Sequence, residues 1–526
     1  MKLANYLSAS WQTGAGEGQT LFDPVTGEAL VSVSADGLDL GAALDFARQT
    51  GGPALRALSY AERGALLGKI AELLQSKRAD YLDISLRNLG ASESDASADV
   101  DGAIFTLKSY ARAARALGDA RHLNDGAPVP LAKTDIFQGQ HFLLPQTGVA
   151  IFINAFNFPA WGLWEKAAPA FLSGMPVLVK PATPTAWLTQ RMVEDVVNAG
   201  LLPDGALSIV CGGARDLLDH VAETDVLSFT GSADTARRMR THPSVVAASI
   251  RVNIEADSVN SAILGPDAAP GSAEFDLMVK EVVREMTVKA GQKCTAIRRI
   301  LAPASTVRAL GEAIAAKLSK ISVGNPRSEG VRMGPLVSKA QQAAAFAGIA
   351  VLKEECEVIF GGDPAAFTPV DADPAVAAFV PPTLLYCAAG LAAKKVHDTE
   401  VFGPVATLIP YTDTMDAIAI ARRGKGSLVA SVYSADSAFL GELVPAIGDL
   451  HGRILVVNGS IGNQHTGHGN VMPTCLHGGP GRAGGGEELG GLRALLMYHR
   501  RFVVQGDPSL LAQLSTNAAD AALLTA

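Results

Sequence analysis

The stretch Pro176-Val177-Leu178-Val179-Lys180-Pro181-Ala182-Thr183 joins a short apolar run to a lysine and a proline turn. Aliphatic and β-branched residues bounded by proline read as a buried strand, and 185–199 then carries helical spacing. The same unit recurs. A strand over 149–153 comes before it, and strand–helix pairs follow at 206–211 with 215–222 and at 226–229 with 234–241. Strand and helix repeating at roughly 20–30 residues per unit predict a parallel, doubly wound sheet.

A second α/β region lies beyond it. Helices are expected over 274–289, 305–319, 338–356 and 415–422, and strands over 298–302, 405–410, 428–433 and 454–457. Upstream, 1–36 reads as short strands and turns. The 39–121 region is helical, with amphipathic helices at 60–76 and 105–117. The glycine-rich 478–491 reads as a loop, and 494–504 returns to strand character.

The chain has 526 residues, enough for two or three domains. A hydrophobic fraction of 48% and a charged fraction of 18% fit a folded protein. The net charge of −8, with no long basic run, argues against nucleic acid as a partner. Five scattered cysteines read as reduced thiols, 1–14 lacks the apolar core of a signal peptide, and no segment reads as a membrane span. A cytoplasmic protein is expected.

Candidate chemistry begins at Gly291-Gln292-Lys293-Cys294, behind the helix expected to end near 289. A thiol after a glycine turn can face a cleft, and Lys293 beside it would favour the thiolate. The same cysteine also reads as a small buried apolar residue. In Phe156-Asn157-Phe158-Pro159, past a strand end, the Asn157 amide can donate to an oxyanion or simply form an Asx turn. Glu165 and Lys166 read equally as solvated helix charges. Lys180 at its strand end can reach a phosphate or ribose, or sit in solvent. Phe229-Thr230-Gly231-Ser232 leaves free N–H groups at a helix start, suited to an anion, though Ser232 also reads as a plain N-cap. Glu255, ending an alternating strand, suits a general base or a structural salt bridge. Gly479-Pro480-Gly481-Arg482-Ala483-Gly484 matches a dinucleotide pattern in letters, but neither a strand nor a helix is expected around it. His465, His468, Cys475 and His477 fit no tight zinc spacing, so no metal is expected.

In this order the motifs resemble those of the aldehyde dehydrogenase superfamily over nearly the whole chain. The resemblance implies that Cys294 is the nucleophile, Asn157 the oxyanion donor and Glu255 the general base. It implies a proton relay through Lys166 and Glu488. It implies cofactor contacts from Lys180, Thr183, Gly231 and Ser232, and from Glu400 and Phe402 in Glu400-Val401-Phe402-Gly403-Pro404. The fold it implies is α/β: two doubly wound Rossmann-like domains plus a small β oligomerisation element. Residues 1–132 and 151–264 would bind cofactor and 265–490 would be catalytic. Residues 133–150 and 491–526 would pair two copies into a homodimer.

The chain departs from the family pattern at Ala256-Asp257-Ser258, at Ala236 and at Thr183, where the family often has Leu-Gly-Gly, Gly and Glu. A glutamate at 183 would repel a ribose 2′-phosphate. Neutral Thr183 beside Lys180 predicts NADP over NAD. Cys211-Gly212-Gly213 and Glu255-Ala256-Asp257-Ser258 resemble a subgroup that oxidises CoA-linked semialdehydes formed after opening of an aromatic-derived ring. A fused hydratase domain, which a related protein carries, is not expected in 526 residues. A general or CoA-acylating aldehyde dehydrogenase, a cysteine hydrolase and a non-catalytic binding relative are the alternatives.

Overall fold

The computed structural model describes residues 1–525; Ala526, the end of the expected oligomerisation segment, lies outside the described residues. Two seven-stranded sheets dominate. The first has the strand order Arg251–Glu255, Val226–Thr230, Ala150–Ile153, Val177–Lys180, Leu207–Ile209, Asn5–Leu7, Ser10–Gln12. Its first five strands are parallel, and the N-terminal pair adds antiparallel. The apolar runs explain this: Val177, Leu178 and Val179 are buried on both faces, as parallel strands under helices require.

The strand order reverses between Ala150–Ile153 and Val226–Thr230. Successive strands run outward from the first of these to Leu207–Ile209, and the chain then returns to its other side. A crevice opens beyond the carboxyl ends of strands at such a reversal. Asn154, Thr230 and the residues after them therefore face it.

The second sheet has the order Glu357–Phe360, Thr383–Tyr386, Val405–Tyr411, Arg299–Pro303, Ser261–Leu264, Ser427–Tyr433, His451–Val457. All pairs are parallel except the edge strand Glu357–Phe360. Ser261–Leu264 lies in this sheet, between Arg299–Pro303 and Ser427–Tyr433, although the expected boundary at 264 groups it with the first. The change of sheet therefore falls between Glu255 and Ser261, directly after the candidate base.

A third sheet joins Gln138–Pro145 to His499–Gly506, antiparallel over eight residue pairs, and adds His122–Asn124 and Ala518–Asp520. It leaves Ile136, Phe137, Leu144, Phe502 and Val503 exposed.

Local differences from expectation have physical causes. The expected helix at 105–117 begins earlier, at Glu93, because Ser92 caps it by accepting the Asp95 N–H. The expected helix over 215–222 is one 3-10 turn, Leu217–His220, too short to offset helix nucleation. The expected loop over 478–491 contains half of a hairpin, Leu476–Gly479 against Gly486–Leu489. The tail makes a helical turn, Leu495–Tyr498, before its strand.

Candidate active site

Cys294 is placed by a strained turn. The helix Ala273–Thr287, capped by Ser272, ends in a kink where Lys289, Ala290 and Gly291 take φ of 52°, 52° and 68°. Left-handed backbone costs a residue with a Cβ on the order of 1–2 kcal/mol. Neighbours hold it in place. The Gly291 backbone lies so close to the next segment that a Cβ there would come 2.2 Å from Gly403 O. The buried Lys289 ammonium sits 3.9 Å from the centroid of the Phe158 ring and 3.8 Å from Asp99. Beyond the kink, the Asn260 amide donates to Cys294 O at 2.8 Å.

Lys293 does not serve the thiol. Its ammonium is buried against both Glu285 oxygens, at 2.7 and 2.8 Å. Eight positions separate the pair, so Glu285 on the preceding helix captures the charge that adjacency in sequence suggested was free for Cys294.

Asn157 and Glu255 reach the thiol from the first sheet. The Asn157 Nδ2 donates to Gln292 O at 3.0 Å, which docks its amide against the Cys294 turn and leaves its second N–H free to point elsewhere. Glu255 ends its strand buried, and Gly231 N–H donates to the Glu255 carbonyl at 3.1 Å. Glu255 and the glycine turn are thus joined by one peptide hydrogen bond.

Glu165 and Lys166 are buried, which sets aside the solvated reading. Lys166 Nζ donates to Thr230 Oγ1 at 2.6 Å and to Asn154 Oδ1 at 3.3 Å, and lies 3.7 Å from Glu488. Burial opposes its charge, but the Glu488, Glu165 and Glu255 carboxylates outweigh burial and hold Lys166 above its ordinary range. Glu488 accepts from Ser228 and Asn253 at 2.9 and 2.6 Å. Burial, only partly opposed by Lys166, pushes it up to about 7.

One residue of this site carried no catalytic signal in the sequence: His477. It stands on the hairpin strand Leu476–Gly479, with Nε2 3.2 Å from Glu255 Oε2 and 3.9 Å from Cys294 Sγ, and Nδ1 3.4 Å from Glu165 Oε2. Of the four residues weighed as metal ligands, His468 instead bonds Ser431, and Cys475 is exposed. Burial and then the Glu255 carboxylate push the Cys294 thiol up to about 12, with His477 opposing them.

A cleft of about 860 Å³ runs along the crevice of the first sheet. Lys180, Thr183, Gly231, Ser232, Glu400 and Phe402 line it together with Asn157, Glu255 and Cys294. Arg237, which the sequence reading passed over, lines it too, paired with Asp234 at 3.0 Å. Its features suit a dinucleotide. Ser232 caps the helix Ala233–Arg240 at the cleft, where the first-turn N–H groups lie. Glu400 Oε1 is buried without a hydrogen-bond partner among the described residues, and burial pushes this carboxyl up to about 8. Phe402 packs edge-on to Phe156, 5.7 Å between centroids, walling the end nearest the thiol.

The departures from the family pattern have partners. Asp257 pairs with Arg482, and Ala256 N–H donates to Ala483 O at 2.9 Å, tying the base segment to the hairpin turn. Ala236 packs in a small apolar cluster with Phe229, Ile254 and Ala256, so a methyl is accommodated there.

Comparison with known proteins agrees with this geometry. The chain is 75% identical over 480 residues to 3,4-dehydroadipyl-CoA semialdehyde dehydrogenase of Aromatoleum evansii, covering 91% of this chain and 93% of that one. Its fold matches an NADP-dependent enzyme of E. coli with a TM-score of 0.83, at 24% identity over 96% of this chain and 98% of the other. It also matches PnpE in complex with nicotinamide adenine dinucleotide, with a TM-score of 0.82, at 23% identity over 96% and 98%. Residues 11–498 match the model of the aldehyde dehydrogenase family, and the chain belongs to that family as an NAD(P)-dependent aldehyde dehydrogenase.

Proposed function

We propose that the protein oxidises a CoA-linked semialdehyde, 3,4-dehydroadipyl-CoA semialdehyde, to the carboxylic acid, with NADP as the preferred cofactor. The 75% identity to the A. evansii enzyme over 91% of the chain carries the substrate reading. The convergence of Cys294, Asn157 and Glu255 on one cleft supports the chemistry.

Cys294 thiolate adds to the aldehyde carbon, and the carbonyl electron pair moves onto oxygen. The free Asn157 N–H and the Cys294 backbone N–H stabilise that oxyanion. The nicotinamide, when bound, supplies the hydride acceptor. The acyl group is then a thioester on Cys294. Glu255 takes a proton from water as the water adds to the thioester carbon, and the C–S bond breaks to return the thiolate. Lys166 and Glu488, 3.7 Å apart behind Glu255, carry the proton away.

Thr183 and Lys180 in the cleft wall support NADP, since no acidic side chain stands at 183 to repel a 2′-phosphate. The exposed apolar residues of the third sheet support a homodimer, in which a second copy covers Phe502 and Val503. No helix among the described residues is long and apolar enough to cross a membrane, and five free cysteines support a reducing, cytoplasmic setting.

The test follows absorbance of reduced nicotinamide with NADP or NAD, comparing a CoA-linked six-carbon semialdehyde with a free aliphatic aldehyde. Fast turnover of the CoA-linked substrate with NADP, releasing free acid, is expected. Equal turnover of free aldehydes would remove the CoA-ester reading, and a product transferred to added CoA would make the enzyme acylating.

A further inference from the structure

We propose that His477 is a catalytic residue of this enzyme, an imidazolium clamped between Glu255 and Glu165 that faces Cys294 Sγ and stabilises its thiolate. The inference rests on Cys294 being the nucleophile. It assigns the thiol a counter-charge from the hairpin, where the sequence had suggested Lys293.

Two carboxylates flanking the ring favour its charged form. Nε2 lies 3.2 Å from Glu255 Oε2 and Nδ1 lies 3.4 Å from Glu165 Oε2. A neutral imidazole has one N–H and one lone pair, so one of its nitrogens would turn a lone pair toward a carboxylate. The doubly protonated ring hydrogen-bonds Glu165 through Nδ1, pairs with Glu255 as an ion at 3.2 Å and turns Nε2 toward Cys294 Sγ. Burial opposes the cation, but Glu255, the contact with Cys294 and Glu165 outweigh burial and hold His477 well above the usual imidazole range.

The charged groups around the ring come from every neighbouring element. The first-sheet strand gives Glu255, the helix Trp161–Ser173 gives Glu165 and Lys166, the kinked turn gives Cys294, and the facing hairpin strand gives Glu488. Lys166 is held by Thr230 and Asn154, and Glu488 by Ser228 and Asn253. Other cations near the thiol are turned to other partners. Arg298 donates to the Gly403, Gly291 and Lys293 carbonyls, and Arg453 to His468 O. Among the described residues His477 alone brings a cationic nitrogen to Sγ, at 3.9 Å.

The addition step then balances without proton transfer at the ring. The thiol proton leaves to water through the open cleft. The Sγ pair forms the C–S bond, the carbonyl π pair moves onto oxygen, and His477 keeps both its protons throughout. Without His477, the Glu255 carboxylate would face a developing thiolate with no opposing charge in contact.

The experiment reads thiolate formation without turnover. Iodoacetamide alkylation of Cys294 is followed by peptide mass spectrometry from pH 6 to 10, in wild type, His477→Gln and Glu255→Gln. Exposed Cys475 serves as reactivity reference, and fully buried Cys211 reports folding by staying unlabelled. His477→Gln is expected to slow Cys294 alkylation at least about 10-fold at pH 8, one unit of thiol pKa or more, with Cys475 unchanged. Glu255→Gln removes a repelling carboxylate and one jaw of the clamp together, and serves as the comparison. A His477→Gln rate within twofold of wild type would overturn the proposal. If His477→Gln exposes Cys211, His477→Asn is measured in its place against the same criterion. Cys294→Ala with full turnover would instead end the nucleophile reading, a separate outcome.

Discussion

Removing the Glu255 carboxylate separates the two halves of the reaction. Asn157 and Cys294 remain placed for addition, so Glu255→Gln is expected to keep a burst of reduced nicotinamide near one equivalent per site. Its steady-state rate should fall at least about 100-fold, the range general-base removal commonly costs. Rapid-mixing absorbance checks this, and an unchanged steady-state rate would remove Glu255 from deacylation. Thr183→Glu places a carboxylate in the cleft wall opposite Lys180. NADP use should weaken by about 10-fold or more in kcat/KM while NAD use changes little. A retained NADP preference would locate discrimination elsewhere, with Arg237 the next residue to change. Locally each of these residues reads equally well as structural, and only the order of the motifs, through the family resemblance, points to their roles. His477 was not legible: only the fold brings a glycine-flanked histidine 183 positions onward to Cys294.

At the scale of elements, the left-handed turn at 289–291 deserves a direct test. Gly291→Ala adds a Cβ 2.2 Å from Gly403 O at φ 68°. The backbone must shift, so a stability loss of about 2 kcal/mol or more and displacement of Cys294 are expected. Denaturant unfolding and turnover measured together check both. The hairpin and its neighbours carry the pH dependence. Glu488, ordinarily near 4.5, is pushed to about 7 by burial. Between those values the folded protein holds a proton that the unfolded chain releases, so this group's contribution to stability falls as pH rises through that window. Glu488→Gln, a stand-in for the neutral acid, should flatten that decline in melting temperature between pH 4.5 and 7. A decline identical to wild type would show that Glu488 is not its source. The amphipathic helix Tyr60–Ser76 was legible to the residue, since its apolar spacing and its Ser59–Glu62 capping box are local signals. The hairpin was not, because Leu-His-Gly-Gly carries little strand propensity and is held by its pairing with 486–489.

For the whole molecule, the alternation of strand and helix made the doubly wound sheets legible, while the sheet membership of Ser261–Leu264 was hidden because a short apolar run looks alike in either. Ile136, at 74% exposure, lies in the turn leading into the third sheet, whose strand His499–Gly506 leaves Phe502 and Val503 exposed. Ile136→Asp with Phe502→Asp should leave each chain folded and shift the mass in solution from dimer to monomer, read by light scattering; an unchanged dimer would place the contact on another face. Cys294 hangs from the second sheet's half and Glu255 from the first, and Gly231 N–H holds the Glu255 carbonyl. The turn proposed to cradle a phosphate and the carboxylate proposed to activate water are thus joined through one stretch of paired backbone. On the proposed mechanism, a substitution that loosens the turn is expected to slow hydrolysis as well as to weaken cofactor binding.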